Sequence, residues 1–249
     1  MSGDGFTVIM DYYRDSEDGQ AQADLNRLMD GTFSNQEAGM PEGTVHSELL
    51  RRPGKLYVLA SHFHPDHFNK EVLQWREQRP DIIYIFSKDI LRHRRAQKED
   101  AVWLKKGEEY KDETLSVRAF GSTDVGVSFL LQASGKKIFH AGDLNNWHWM
   151  DESTEAQWKG AEKNFLHELD DLYAYTPEVD VAMFPVDPRL GKEYMRGAGQ
   201  FVTKIKTHIF VPMHFTPEYA KANAFRDFAE AHGVRFVSLT HRGQKIEIE

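Results

Sequence analysis

Cysteine is absent from all 249 residues, which excludes a disulfide framework and any thiolate nucleophile or thiolate metal ligand. No apolar stretch approaches the ~20 residues needed to cross a bilayer. The first residues, Met1 to Gly5, hold neither the basic region nor the apolar run of a secretory signal. These absences predict a cytoplasmic protein with no membrane partner. Basic charge is in short supply: 31 Lys and Arg against 39 Asp and Glu leave a net charge of −8. Binding nucleic acid relies on clustered cations that neutralise phosphates, so this balance argues against it and for a small-molecule substrate. Pro- or Ser-rich linkers and internal repeats are missing too, and the chain length suits one large domain, so residues 1–249 are read as a single unit.

What is present begins with strands. Phe6 to Tyr13 reads as an opening strand, Leu56 to Ala60 as a buried one, and Asp81 to Phe86 as another. Residues 14–52 turn polar, with a short helical turn at Ala23 to Met29, and read as an elaborated loop. Lys70 to Gln78 has amphipathic spacing and stops before Pro80, and Asp89 to Lys98 reads as a solvated basic helix. Further short strands precede a hairpin, Val127 to Gln132 with Lys136 to His140. Helices are predicted at 152–175, 196–206 and 216–232, the last opened by Thr216-Pro217, with strands at Val179 to Pro185, His208 to Met213, Val234 to Leu239 and Gln244 to Ile248. Pattern alone gives an α/β or α+β fold.

The chemistry is concentrated in Ser61-His62-Phe63-His64-Pro65-Asp66-His67, directly after the Leu56 to Ala60 strand. Histidine is 12 of 249 residues, so three at fixed positions arise by chance at roughly 10⁻⁴ per starting point. Imidazole nitrogen and carboxylate oxygen are the donors that zinc and its first-row neighbours take.

This run resembles the H-x-H-x-D-H signature of the metallo-β-lactamase superfamily. Two later stretches fit the same pattern: Lys137-Ile138-Phe139-His140-Ala141-Gly142-Asp143, similar to the family's strand ending in Gly-Asp, and Ile209-Phe210-Val211-Pro212-Met213-His214, similar to the strand carrying the last histidine. The resemblance implies a four-layer αββα sandwich of two mixed sheets with a metal site at one edge. It further implies that His62 and His64 bind one metal, that Asp66, His67 and His214 bind a second, and that Asp143 bridges them. Such a zinc pair would activate a hydroxide against an ester, lactone or phosphoester, with Asp66 and Asp143 counted among the catalytic residues. Manganese or iron would also suit the carboxylates. The rival readings are a phosphodiesterase or nuclease, and a non-catalytic metal- or ligand-binding protein that keeps the fold.

One departure from the family matters. The loop that usually supplies a third histidine to the first metal reads Gly121-Ser122-Thr123-Asp124 here. Three arrangements stay open: Asp124 supplies a carboxylate, the first metal is weakly held, or a single metal sits on the Asp66, His67, Asp143 and His214 side. The departure makes the chain look more like the lactonase-like and uncharacterised hydrolase branch than like the antibiotic-degrading enzymes. After Asp143, Asn146 and Trp147 are read as pocket-lining and His148 as a proton donor to a leaving group. Asp187 and Arg189, leaving a strand near the same edge, are read as a carboxylate behind a ligand histidine and a contact for an anionic substrate group.

Overall fold

Two runs of strands, each feeding its ends toward one edge, organise the chain; the computed structural model describes residues 1–3, 5–13, 44–215 and 218–248. The helical turn expected at Ala23 to Met29 and the Thr216-Pro217 helix start lie outside these residues. The first sheet joins β1 (Ser2–Gly3), β2 (Phe6–Met10), β3 (Lys55–Ala60), β4 (Ile83–Ser87) and β5 (Val102–Leu104) in that order. Only β1 and β2 run antiparallel; the rest are parallel. Short helices accompany it: α1 (Ser47–Leu50), α2 (Glu71–Gln74) and α3 (Lys88–Arg92). The basic helix is thus shorter than the expected 89–98, ending where Arg94 adopts a left-handed φ of 54°.

The second sheet begins with β6 (Glu109–Lys111), β7 (Leu115–Phe120), β8 (Ser128–Ala133) and β9 (Lys136–His140), all antiparallel neighbours. Ser134 and Gly135, both at positive φ, make the tight turn between β8 and β9. After α4 (Glu155–Tyr175) come β10 (Glu178–Pro185), α5 (Arg196–Lys204) and β11 (Lys206–Met213). Thr154 caps α4, with Gln157 Oε1 accepting from its backbone N–H at 2.9 Å, so the helix starts three residues later than the sequence reading placed it. The expected 216–232 helix is two pieces, α6 (Tyr219–Asn223) and α7 (Arg226–Ala231). Asn223 ends the first piece with its amide bonded both ways to the Leu239 backbone. The last strand, β12 (Arg235–Phe236), is brief, and Gln244 to Ile248 is not a strand. Strands β9, β10, β11 and β12 are mutually parallel neighbours.

Alternation along each strand builds three apolar layers. In β3, Tyr57 and Leu59 face inward and meet Val117, Phe129, Leu131 and Ile138 of the other sheet. Leu56, Val58 and Ala60 face outward onto Val72, Trp75 and Ile90. On the far side, Leu130, Phe139, Phe184 and Phe210 pack on Phe165, Leu169 and Leu172 of α4 and Phe201 of α5. Strands buried on both faces read as unbroken apolar runs, which is why they were legible in the sequence. The result is helix, sheet, sheet, helix, as the resemblance implied. Among the described residues no helix is long and apolar enough to cross a membrane.

Candidate metal centre

Five parallel strands deliver side chains from their C-terminal ends to one edge. Asp11 follows β2, the Ser61 to His67 loop follows β3, Asp143 follows β9, Asp187 follows β10 and His214 follows β11. Pairing fixes their levels, since Met10 lies opposite Leu59 and Pro185 opposite Met213. The loops close tightly because two turns have no side chain. A Cβ on Gly126 would lie 2.1 Å from Ser61 O, and one on Gly142 would lie 2.8 Å from Ser61 Cβ; both residues hold positive φ.

The ligand candidates converge. His62 Nε2 lies 3.3 Å from Asp143 Oδ2, while His67 Nε2 and His214 Nε2 lie 3.0 and 3.3 Å from Asp143 Oδ1. His64 Nδ1 is 3.1 Å from His62 Nε2. Three sets of donor atoms fall within 4.8 Å of one another: His62, His64 and Asp143; His62, Asp66 and His67; His67, Asp143 and His214. Asp66 and Asp124 stand at the rim, with side chains 54% and 46% exposed, 3.6 Å from His67 Nε2 and 3.7 Å from His64 Nδ1 respectively.

The outer nitrogens of three imidazoles are all engaged. His67 Nδ1 meets Asp11 Oδ2 at 2.7 Å, and His214 Nδ1 meets Asp187 Oδ2 at 2.9 Å. His62 Nδ1 meets Ser61 Oγ at 3.0 Å, and that hydroxyl donates to Asp11 Oδ2 at 2.6 Å. A proton on each Nδ1 satisfies these contacts and leaves each Nε2 lone pair aimed at the Asp143 carboxylate. Lone pairs facing a buried carboxylate repel unless positive charge lies between them. Asp143 Oδ1 is itself buried and makes no hydrogen bond among the described residues. The donor set therefore fits a divalent cation held by nitrogen and oxygen.

The electrostatics agree. Burial opposes ionisation of Asp143, yet His214, His62 and His67 outweigh it and hold the carboxyl far below its usual range. Burial also works against the charged form of His67, but Asp11 and Asp143 raise it to about 10; Asp143 and Asp187 raise His214 likewise to about 9. The pocket favours positive charge, which protons on the imidazoles or a bound cation would supply. His140, also buried, is pushed down by burial and accepts the Gly142 backbone N–H at 3.2 Å, which sets the turn before Asp143.

Asp11 and Ser61 were not singled out in the sequence. Asp11 accepts from the Ser61 backbone N–H at 2.7 Å as well as from Ser61 Oγ and His67, and the neighbouring His140, His67 and Ser61 together hold its carboxyl well down against burial. Both Asp11 and His214 sit at left-handed φ, 45° and 60°, a strain of about 1–3 kcal/mol each that functional sites concentrate.

The residues after Asp143 divide. Trp147 donates its indole N–H to the Asp143 carbonyl at 2.8 Å, and its ring lies 5.5 Å from that of His214, so it walls the site. Asn146 is buried behind it, its amide bonded to Gln200 at 2.9 Å and to Glu162 at 3.3 Å, and does not line a pocket. His148 is buried as well. Its Nε2 meets the Glu193 carbonyl at 3.2 Å and its Nδ1 accepts from the Met150 N–H at 3.1 Å, so both nitrogens hold the loop and neither is free to protonate a leaving group. Trp149, at a left-handed φ of 44°, turns the chain directly after it. Asp187 and Arg189 stand beside His214, the guanidinium 2.6 Å from Asp187 Oδ2.

No family model matches the chain, and no curated protein matches its sequence. Solved structures do match. The metallo-β-lactamase fold protein YhfI from Bacillus subtilis superposes with a TM-score of 0.57 at 10% identity, covering 97% of this chain and 87% of its own. Igni18, a metallo hydrolase from the hyperthermophilic archaeon Ignicoccus hospitalis, gives 0.52 at 17% identity over 76% of this chain and 77% of its own. CmlA, a diiron β-hydroxylase from Streptomyces venezuelae, gives 0.51 at 14% identity over 77% of this chain and 45% of its own. At such identities the likeness is one of architecture, two mixed sheets with helices outside: the chain has the metallo-β-lactamase fold.

Proposed function

We propose that this protein is a metal-dependent hydrolase of a small-molecule ester, lactone or phosphoester. The observation that carries the reading is the convergence of three Nε2 atoms on the Asp143 carboxylate, with a nitrogen of His64 within 4.8 Å of the same group. His62, His64 and Asp143, completed by Asp124, would hold one ion; Asp66, His67, Asp143 and His214 would hold a second. Zinc suits this set, and manganese or iron would be tolerated by its carboxylates. When bound, such a metal supplies a Lewis acid and a water that ionises near neutral pH.

The chain's own residues supply the rest. Asp11 and Asp187 fix the tautomer and ring orientation of His67 and His214. Ser61 relays the Asp11 constraint to His62. Asp66 is the most exposed carboxylate of the ligand motif and stands 3.6 Å from His67 Nε2 at the rim of the site. Trp147 covers one flank of His214 and excludes solvent there. The net charge of −8 supports a small molecule over nucleic acid as the substrate.

Metal analysis of the purified protein joined to hydrolysis of 4-nitrophenyl acetate and bis(4-nitrophenyl) phosphate tests the reading. One to two bound ions with turnover that a chelator abolishes and added metal restores is the expected result. Protein that takes up no divalent metal, or that binds it and hydrolyses neither probe nor a panel of lactones, overturns it.

A further inference from the structure

The geometry points to Arg189 as a binding site for an anionic group, a carboxylate or phosphate, carried by the substrate beside its scissile bond. This rests on the hydrolase reading of the metal centre. Arg189 leaves β10 two residues after Asp187 and folds back on it: Nε lies 3.0 Å from both carboxylate oxygens and Nη2 lies 2.6 Å from Oδ2. The Arg189 backbone N–H adds a further bond to Oδ1 at 2.9 Å. Asp187 is only 1% exposed and also takes the His214 Nδ1 contact at 2.9 Å, so it is a rigid anchor.

A salt bridge alone does not use what remains of this guanidinium. One edge is occupied by Asp187, but Nη1 meets no acceptor among the described residues, and the side chain is 55% exposed. Nη2 stands 3.3 Å from His214 Nδ1, which places the fork against the far side of a metal-ligand ring. The Arg189 side chain is thus both solvent-accessible and within 3.3 Å of a ring whose other nitrogen lies 3.3 Å from Asp143 Oδ1. A planar fork that is held by its inner edge and free on its outer edge matches the two oxygens of a carboxylate or phosphate, and its rotamer is fixed before the ligand arrives. Trp147 lies against the same His214 ring, so an apolar surface and a cation together border the ligand imidazole. The substrate that fits is a small molecule with a negative group near the bond to be cut.

The test compares the metal-loaded protein with Arg189→Gln and Arg189→Lys. The kinetic probes are mono(4-nitrophenyl) succinate, which is anionic, and 4-nitrophenyl acetate, which is neutral. Succinate and methyl phosphate serve as calorimetric ligands that separate carboxylate from phosphate recognition. Wild-type protein is expected to prefer the anionic ester by about tenfold or more in kcat/KM. Arg189→Gln should bring that ratio close to unity through KM, and Arg189→Lys should keep part of it, with metal content equal in all three. A ratio unmoved by Arg189→Gln overturns the inference and leaves the hydrolase reading intact. So does loss of metal in Arg189→Gln, which would make the residue a support for His214. If neither ester is cut, the hydrolase reading fails and binding decides: succinate or methyl phosphate affinity that drops about tenfold or more in Arg189→Gln sustains the anion site, and no binding to wild type overturns it.

Discussion

Replacing Asp11 by Asn separates charge and tautomer control from shape. Asn is nearly isosteric, and it tolerates the left-handed φ of 45° that Asp11 adopts. The carboxylate accepts from Ser61 N at 2.7 Å, Ser61 Oγ at 2.6 Å and His67 Nδ1 at 2.7 Å. An amide has one oxygen to share among those three donors, so its NH2 group must face one of them. If it faces His67, Nδ1 becomes an acceptor and the ring proton moves to Nε2, the atom aimed at Asp143. Loss of a second partner of this kind lowers metal affinity about 10- to 100-fold, equivalent to about 1.4–2.8 kcal/mol. In the metal-free protein the same change removes one partner of a buried charge pair, which costs the fold about 3–5 kcal/mol at most. Competition with a chromogenic chelator measures the first quantity and urea unfolding of the metal-free protein the second. Metal affinity equal to wild type in a folded Asp11→Asn variant would refute the tautomer argument.

Asp124→Asn should lower binding of the ion held by His62 and His64 while sparing the one held by His67 and His214, seen as loss of the weaker step in a metal titration; two unchanged steps would remove Asp124 from the ligand set. Gly160 sits within α4 with open space where its Cβ would be, so Gly160→Ala should stabilise the protein by about 0.8–1 kcal/mol in denaturant unfolding; a destabilised variant would show that the helix needs glycine there. Burial raises Tyr57 and Tyr84 to about 12, with the Asp112 carboxylate adding to it for Tyr57. Their folded pKa values exceed the unfolded value near 10, so the stability they contribute is complete below pH 10 and is lost as pH rises through 12. A thermal melting series should therefore fall steeply above pH 10, less so in Tyr84→Phe, and an unchanged slope in that variant would count against the assignment.

Candidate ligands that are close in sequence are the easiest to pick out. His62, His64, Asp66 and His67 follow one strand within six residues, and Asp143 and His214 each end a buried apolar run, so strand pattern and residue type mark all six as candidates. The carboxylate of Asp187 behind His214 was expected from the habit of ligand histidines, and the 2.9 Å contact is there. Asp11 carries no such mark, since a lone Asp at a strand end is ordinary. Only the parallel pairing of β2 with β3 puts it beside Ser61 and His67. His148 shows the opposite: it is near Asp143 in the sequence, yet its two nitrogens are engaged by the Glu193 carbonyl and the Met150 N–H. The break between α6 and α7 depends on Asn223 finding the Leu239 backbone 16 residues away, a contact that no local periodicity reveals.

The claim on which the rest stands is that distant strand ends aim bare imidazole nitrogens and one buried carboxylate at a common cation. Anomalous diffraction from crystals grown with zinc or manganese measures this directly. A peak within about 2.0–2.2 Å of His67 Nε2, His214 Nε2 and an Asp143 oxygen is the predicted result; a protein that diffracts well with metal present and shows no peak among these atoms would contradict it.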